Sequence, residues 1–224
     1  MRIINRMVQI IALATIGVTL AAASARADSF DVTLNTSSLS GTQVLAFLLT
    51  DGDGVVDNSA TLSGFTFGGG AAQGTPDYLG STGVSGDLTS GIAMDDTSLA
   101  TSIFTQDFTP GSSLSFLLNI TNNFAGGTPD TFAMEICNST LTTCYSDDTS
   151  TGAMLVLNLL GGTLAPSSFI LNGAMDQDLP APVVTEGSSG NVPEPSSLLL
   201  LAAALLSLGM ARYRRCSIAR SITA

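Results

Sequence analysis

The sequence predicts an all-β domain, an antiparallel β-sandwich of which the jelly roll is one form, and three observations carry that expectation. Apolar and polar residues alternate with a period of two in several short segments. Turn-forming residues separate those segments. No stretch between the two ends of the chain shows the 3.6-residue period of an amphipathic helix. The 23 Gly and 8 Pro of this 224-residue chain supply the tight connections that so many short strands need.

The elements follow in order. Phe30, Val32 and Leu34 alternate with Asp31, Thr33 and Asn35, the pattern of a half-buried strand. Gln43 to Leu49, Thr61 to Phe67 and Ser102 to Phe108 are the next candidates. Leu114, Phe116, Leu118 and Ile120 alternate with mostly polar neighbours, and Phe132, Met134 and Ile136 alternate with Thr131, Ala133 and Glu135. Ala153 to Leu160 and Ser168 to Leu171 complete the set. Gly68 to Ser98 is polar and Gly-rich, and reads as a long loop or a pair of weak edge strands. Residues 176–191, with Pro180, Pro182 and a Glu-Gly-Ser-Ser-Gly run, read as a flexible linker. The sandwich is therefore expected over residues 28–175.

Both ends have a different character. Arg2 and Arg6 precede the apolar run Met7 to Ala23, and Ala25-Arg26-Ala27 offers a small-x-small cleavage site before Asp28, with Ala23-Ser24-Ala25 as second choice. Residues 1–27 thus read as a signal peptide that engages the Sec translocon and signal peptidase; a retained N-terminal membrane helix is the competing form. At the other end, Val192, Pro193, Glu194 and Pro195 precede an uncharged Leu/Ala-rich run, 196–211, followed by Arg212, Arg214 and Arg215. In lipid such a run satisfies its own backbone as a helix. At ~1.5 Å per residue it reaches about 24 Å, a minimal anchor against a hydrocarbon core of roughly 30 Å. The arginines hold the tail, residues 216–224 included, on the cytoplasmic side, which places the preceding domain outside.

The charge distribution sharpens that division. All 7 basic residues are Arg2, Arg6, Arg26, Arg212, Arg214, Arg215 and Arg220, and all 18 acidic residues lie between Asp28 and Ala211. The domain therefore has no Lys, Arg or His of its own. Such a surface repels nucleic acid and acidic lipid and takes its counter-ions from solution. Cys137 and Cys144 would lie in an oxidising compartment, where their spacing suits a disulfide that staples a hairpin.

The three-part order of tripeptide, apolar helix and Arg cluster in residues 192–215 resembles the PEP-CTERM sorting signal of Gram-negative bacteria. The tripeptide 193–195, the helix 196–211 and the cluster 212–215 carry the resemblance. It implies an exported, inner-membrane-anchored precursor recognised by an exosortase, a membrane-embedded cysteine protease or transpeptidase, which cuts near the tripeptide. It also implies a cell-surface or extracellular destination and an association with exopolysaccharide and biofilm.

For chemistry the residue inventory is restrictive. Without imidazole, amine or guanidinium there is no common general base, no Schiff-base lysine and no cationic oxyanion clamp. Two carboxylates suffice for a glycosidase, but the doublets Asp95-Asp96 and Asp147-Asp148 place neighbours on opposite strand faces and read as solvated turn acids. No catalytic residue is expected, and the protein reads as non-enzymatic. Two binding alternatives stand beside that reading. In Asp51-Gly52-Asp53-Gly54-Val55-Val56-Asp57-Asn58, carboxylates spaced around glycines follow the logic of a Ca²⁺ loop, with Asp51, Asp53 and Asp57 as candidate ligands. The same residues equally describe a hairpin turn, in which Asp-Gly supplies positive φ. A carbohydrate-binding module is the other alternative; with no Trp in the chain, Tyr78 and Tyr145 are its aromatic candidates. Otherwise no cofactor is expected.

Overall fold

A computed structural model describes residues 27–96 and 101–187. The sorting motif, the apolar run 196–211, the Arg cluster and all of the expected signal peptide except Ala27 lie outside the described residues. Among the described residues no helix is long and apolar enough to cross a membrane.

The alternating segments form strands. They are β1 (Ala27–Asn35), β2 (Gln43–Thr50), β3 (Ser59–Thr66), β4 (Ala71–Ala72), β5 (Val84–Asp87), β6 (Gly91–Asp95), β7 (Thr101–Thr109), β8 (Ser113–Thr121), β9 (Asp130–Asn138), β10 (Leu155–Leu159), β11 (Phe169–Leu171) and β12 (Val183–Glu186). They assemble into two six-stranded sheets, β12-β1-β8-β3-β6-β5 and β11-β10-β9-β2-β7-β4. Every pairing is antiparallel.

One core joins the sheets. Phe30, Val32 and Leu34 of β1 and Leu114, Phe116, Leu118 and Ile120 of β8 are buried from the first sheet; Leu45, Phe47 and Leu49 of β2 and Phe132, Met134 and Ile136 of β9 are buried from the second. Two edge-to-face aromatic pairs cross between the sheets, Phe47 to Phe116 at 5.4 Å and Phe30 to Phe169 at 4.9 Å between ring centroids. Such pairs contribute about 0.5–1.5 kcal/mol each beyond the area they bury. A one-residue slip in register would turn these side chains to the outer faces, so the alternation sets the pairing as well as the strands.

Three segments differ from the sequence expectation. Gly68 to Ser98 contains β4, β5 and β6; β4 and β5 are edge strands, in keeping with the expected weak edge pair, but β6 is an interior strand paired with both β3 and β5. Gly86 and Gly91 sit at φ of 92° and 100° in that hairpin, a conformation open to glycine, and an alternation of apolar residues is too short there to be noticed. Part of the linker expected over residues 176–191 is ordered as a strand: Val183–Glu186 has β1 as its ladder partner, with Val184 buried opposite Val32. The prolines Pro180 and Pro182 stand ahead of this edge strand, where a missing N–H costs no ladder bond. Finally, Asp51–Asn58 is no hairpin turn, because β2 and β3 belong to different sheets and this loop crosses from one to the other.

The expected cleavage point falls at the outermost rung of β1, where Ala27 is exposed and opposite Thr121; the ladder continues from Asp28 opposite Ile120. The Cys137–Cys144 disulfide is present and closes the turn after β9. Within that turn the Asn138 side chain accepts the Thr142 N–H at 2.9 Å and donates to Thr142 Oγ1 at 2.9 Å. A loop this short adds about 2–3 kcal/mol in the chain-entropy description of a cross-link.

Candidate functional site

Four chain segments converge where β2 hands over to β3. The crossover loop 51–58 leaves β2 at Thr50 and enters β3 at Ser59; Asp130 opens β9, whose Thr131 lies opposite Thr50; Asp96 follows β6, whose Asp95 lies opposite Ser59; and Asn122-Asn123 follows β8. The ladders of both sheets therefore deliver these residues to one place. Gly52 allows the closest approach, since a Cβ there would collide with the carbonyl of Pro129.

Asn58, only 2% exposed, is the hub. Its side-chain amide donates to Asp130 Oδ2 at 2.7 Å, to Asp57 Oδ1 at 3.0 Å and to the Asn123 carbonyl at 3.0 Å. Its Oδ1 accepts the Asn123 N–H at 2.8 Å and the Thr121 hydroxyl at 3.2 Å. Asn58 and Asp96 clasp each other, the Asn58 N–H donating to Asp96 Oδ2 at 2.9 Å and the Asp96 N–H donating to the Asn58 carbonyl at 3.1 Å.

Around the hub, carboxylates collect. Asp57, Asp96 and Asp130 each present an oxygen within 4.8 Å of the others, and so do Asp51, Asp53 and Asp130. The three candidates from the loop are thus not one set: Asp51 and Asp53 belong to one group, Asp57 to the other, and Asp130 is common to both. Asp96 and Asp130 are each 1% exposed. Asp130 is well supplied with donors, receiving the Gly52 N–H at 2.7 Å and the Asp53 N–H at 3.3 Å on Oδ1 and the Asn58 amide on Oδ2. Asp96 is not: Oδ2 also takes the Asp57 N–H at 3.3 Å, but Oδ1, fully buried, has no hydrogen-bond partner among the described residues.

The acid strengths follow. Burial pushes the Asp96 carboxyl up to about 7, against the pull of the Asn58 N–H, and the adjoining Asp130 carboxyl adds to the rise. Burial opposes ionisation of Asp130 as well, but the Gly52 N–H and the Asn58 amide outweigh it and hold that carboxyl below the usual value. Asp57 is raised, by burial first and then by the charges of Asp53, Asp130 and Asp51. An all-oxygen set of this kind suits a hard cation rather than a soft one.

Asp96 was expected to be a solvated turn acid; it is buried, while its neighbour Asp95 is exposed. The parity of the strands could have shown this, because Ile92, Met94 and Asp96 share one face of β6, and Asp130, Phe132, Met134 and Ile136 share one face of β9. Asp148 does lie in an exposed turn, accepting the Ser150 N–H and hydroxyl. The third group of possible ligands, Glu135 with Cys137 and Cys144, has its sulfurs committed to the disulfide. Neither tyrosine stands free as a flat platform. Tyr78 packs on the core and donates to the Gly86 carbonyl at 2.8 Å; Tyr145 packs on the core and donates to Gln43 Oε1 at 3.0 Å.

The sorting residues Val192, Pro193, Glu194, Pro195, Arg212, Arg214 and Arg215 lie outside the described residues and are read through comparison. No curated protein and no solved structure matches the chain. Residues 191–215 match the family model of the PEP-CTERM protein-sorting motif, so the chain is a protein that carries a PEP-CTERM sorting motif.

Proposed function

We propose that this protein is a non-enzymatic component of the cell envelope or extracellular matrix, delivered by export and exosortase processing. The match of residues 191–215 to the sorting motif carries this reading. In this scheme the signal peptide is lost before Asp28, the helix 196–211 holds the precursor in the inner membrane, and the exosortase cuts near Pro193-Glu194-Pro195. The Arg cluster sets topology, and the released domain joins an exopolysaccharide-containing matrix at the cell surface.

Features of the domain support that fate. The chain's basic residues all lie in the terminal segments, and the domain holds a disulfide, which persists in oxidising compartments. Strand β12 ends at Glu186, and only Ser188 to Val192 lie between Gly187 and the tripeptide, so a cut there leaves every described ladder intact. We read the delivered scaffold as jelly-roll-like, because β1 pairs with β8, β2 with β7 and β3 with β6, the nested order of one long hairpin folded over.

Intact-mass measurement of the protein released from cells tests the scheme. With no Lys or Arg between Arg26 and Arg212, trypsin cannot erase the mature ends. The expected species starts near Asp28 and stops near Pro193. Recovery of only the form that keeps residues 196–215, in a host with an exosortase, would overturn it.

A further inference from the structure

The buried acidic cluster at the β2–β3 crossover raises a question of charge that composition makes acute. In most proteins a guanidinium or ammonium would enter such a cluster, but no Lys, Arg or His exists between Arg26 and Arg212. Five carboxyls, those of Asp51, Asp53, Asp57, Asp96 and Asp130, gather in two groups that share Asp130. Backbone and amide donors serve Asp130, yet Asp96 Oδ1 is buried beside it with no donor among the described residues. An unpaired buried carboxylate oxygen is among the costliest groups to leave in a fold.

We propose that Asp57, Asp96 and Asp130, with Asp51 and Asp53 adjoining, hold a divalent hard cation of the Ca²⁺ type. Oxygens that ligate Ca²⁺ at ~2.3–2.6 Å on opposite sides of the ion lie roughly 5 Å apart. The separation of at most 4.8 Å within each group therefore suits ligation of one ion. Ca²⁺ fits better than Mg²⁺, because irregular clusters of several carboxylates match its adaptable coordination, whereas Mg²⁺ demands a near-ideal octahedron and retains its waters. The ligands come from both sheets: Asp130 opens β9 of the second, while Asp57 precedes β3 and Asp96 follows β6 of the first. The ion is thus an inter-sheet clamp. This inference stands independently of the processing scheme.

The competing arrangement is a proton shared between Asp96 and Asp130, and the two differ in what they predict. The full chain, purified in detergent and stripped with chelator, is titrated with CaCl₂ by calorimetry and melted in Ca²⁺, in Mg²⁺ and in NaCl of matched ionic strength. The expected result is saturable Ca²⁺ binding and a melting temperature raised by about 5–10 °C at 100-fold excess over Kd, with little response to the other salts. Asp96→Asn should weaken Ca²⁺ binding at least tenfold yet melt no lower than the wild type in chelator, since it removes a buried charge and can donate to Asp130. Asp53→Asn, on the accessible side, should weaken binding by a smaller factor with the fold unchanged, and it serves should Asp96→Asn fail to fold. Absence of saturable binding up to millimolar Ca²⁺ would overturn the proposal in favour of the shared proton. Equal stabilisation by Ca²⁺, Mg²⁺ and NaCl would overturn it in favour of diffuse screening. Ca²⁺ affinity unchanged in Asp96→Asn and in Asp53→Asn would overturn the assignment of the site.

Discussion

The crossover cluster and the two exposed turns at Asp87 and Asp148 use the same residue type in opposite ways. In each turn one carboxylate is wrapped by its own neighbours: Asp87 Oδ1 accepts the N–H and hydroxyl of Thr89 and the N–H of Ser90, and Asp148 accepts the Ser150 N–H and hydroxyl and the Thr151 hydroxyl. Those donors, led by the Thr89 hydroxyl in one turn and the Ser150 hydroxyl in the other, hold both carboxyls down to about 2. At the crossover, donors reach every carboxylate but leave the buried Asp96 Oδ1 without one, and Asp96 rises to about 7, chiefly through burial. A domain without basic side chains can thus carry many acids at no great cost where three residues of local sequence supply the donors. It meets a conflict only where tertiary structure brings acids together from distant segments.

The largest expected effect comes from removing the donor on which the cluster depends. Asn58→Ala deletes the amide that serves Asp57 and Asp130 and the oxygen that receives the Asn123 N–H, in a buried to half-buried setting. A loss of about 3 kcal/mol is expected, read as a lowered midpoint in urea, because each buried group left unpaired costs about 1–3 kcal/mol. Should Asn58→Ala prove as harmless as an exposed turn substitution, the contrast between the two regions would not hold.

How far each region was legible follows from the same distinction. The Asp87 and Asp148 turns are local, as is the disulfide across Asn138–Thr143, and spacing in the sequence was enough to find the latter. The strands β1, β8 and β9 were equally plain, because an alternation sustained along a nine-residue strand matches the two-residue period of a half-buried strand and not the 3.6-residue period of a helix. Within the crossover site, Asp51, Asp53 and Asp57 were visible as a motif, but their partners were not. Asp96 and Asp130 lie 39 and 73 positions beyond Asp57, and only the sheet order brings them together. Both do continue the buried parity of their strands. The loop was also open to a hairpin reading, since Asp-Gly favours a positive φ in a crossover as readily as in a hairpin; Gly54 adopts 81°. Edge strand β12 was obscured by the prolines before it and the Gly/Ser run after it.

Proton linkage offers a second way to sharpen the contrast, with an intermediate effect. The folded state holds the Asp96 proton to about pH 7, whereas the unfolded chain releases it near the usual carboxyl value of 3.8. Between these values the folded state binds more protons, so the contribution of Asp96 to stability falls as pH rises and levels off above about 7. Asp57, raised in the same sense, adds to the slope; Asp130, lowered, acts oppositely and only below 3.8. The acids facing Asp96 are Asp57 and Asp130, with Asp51 and Asp53 beyond them, and no basic group opposes them. In chelator, the wild-type melting temperature should therefore decline from pH 5 to pH 8 relative to that of Asp96→Asn. Parallel curves for the two proteins over that range would show that Asp96 titrates elsewhere.

The smallest effect belongs to the exposed turns and has the reverse sign. Asp87 ionises more readily folded than unfolded, so its contribution is complete above the usual carboxyl value and is lost as pH falls through about 2. Asp87→Asn keeps an oxygen able to accept from Thr89 and Ser90 but loses the charge that strengthens those bonds. Because its bonds are local and exposed, the variant should melt within roughly 1–2 °C of the wild type at neutral pH. The difference should shrink as pH falls through about 2, where the wild-type carboxyl loses its charge. A difference that grows on acidification would mean that Asp87 depends on a partner beyond its own turn, and the distinction between locally and tertiarily satisfied acids would have to be redrawn.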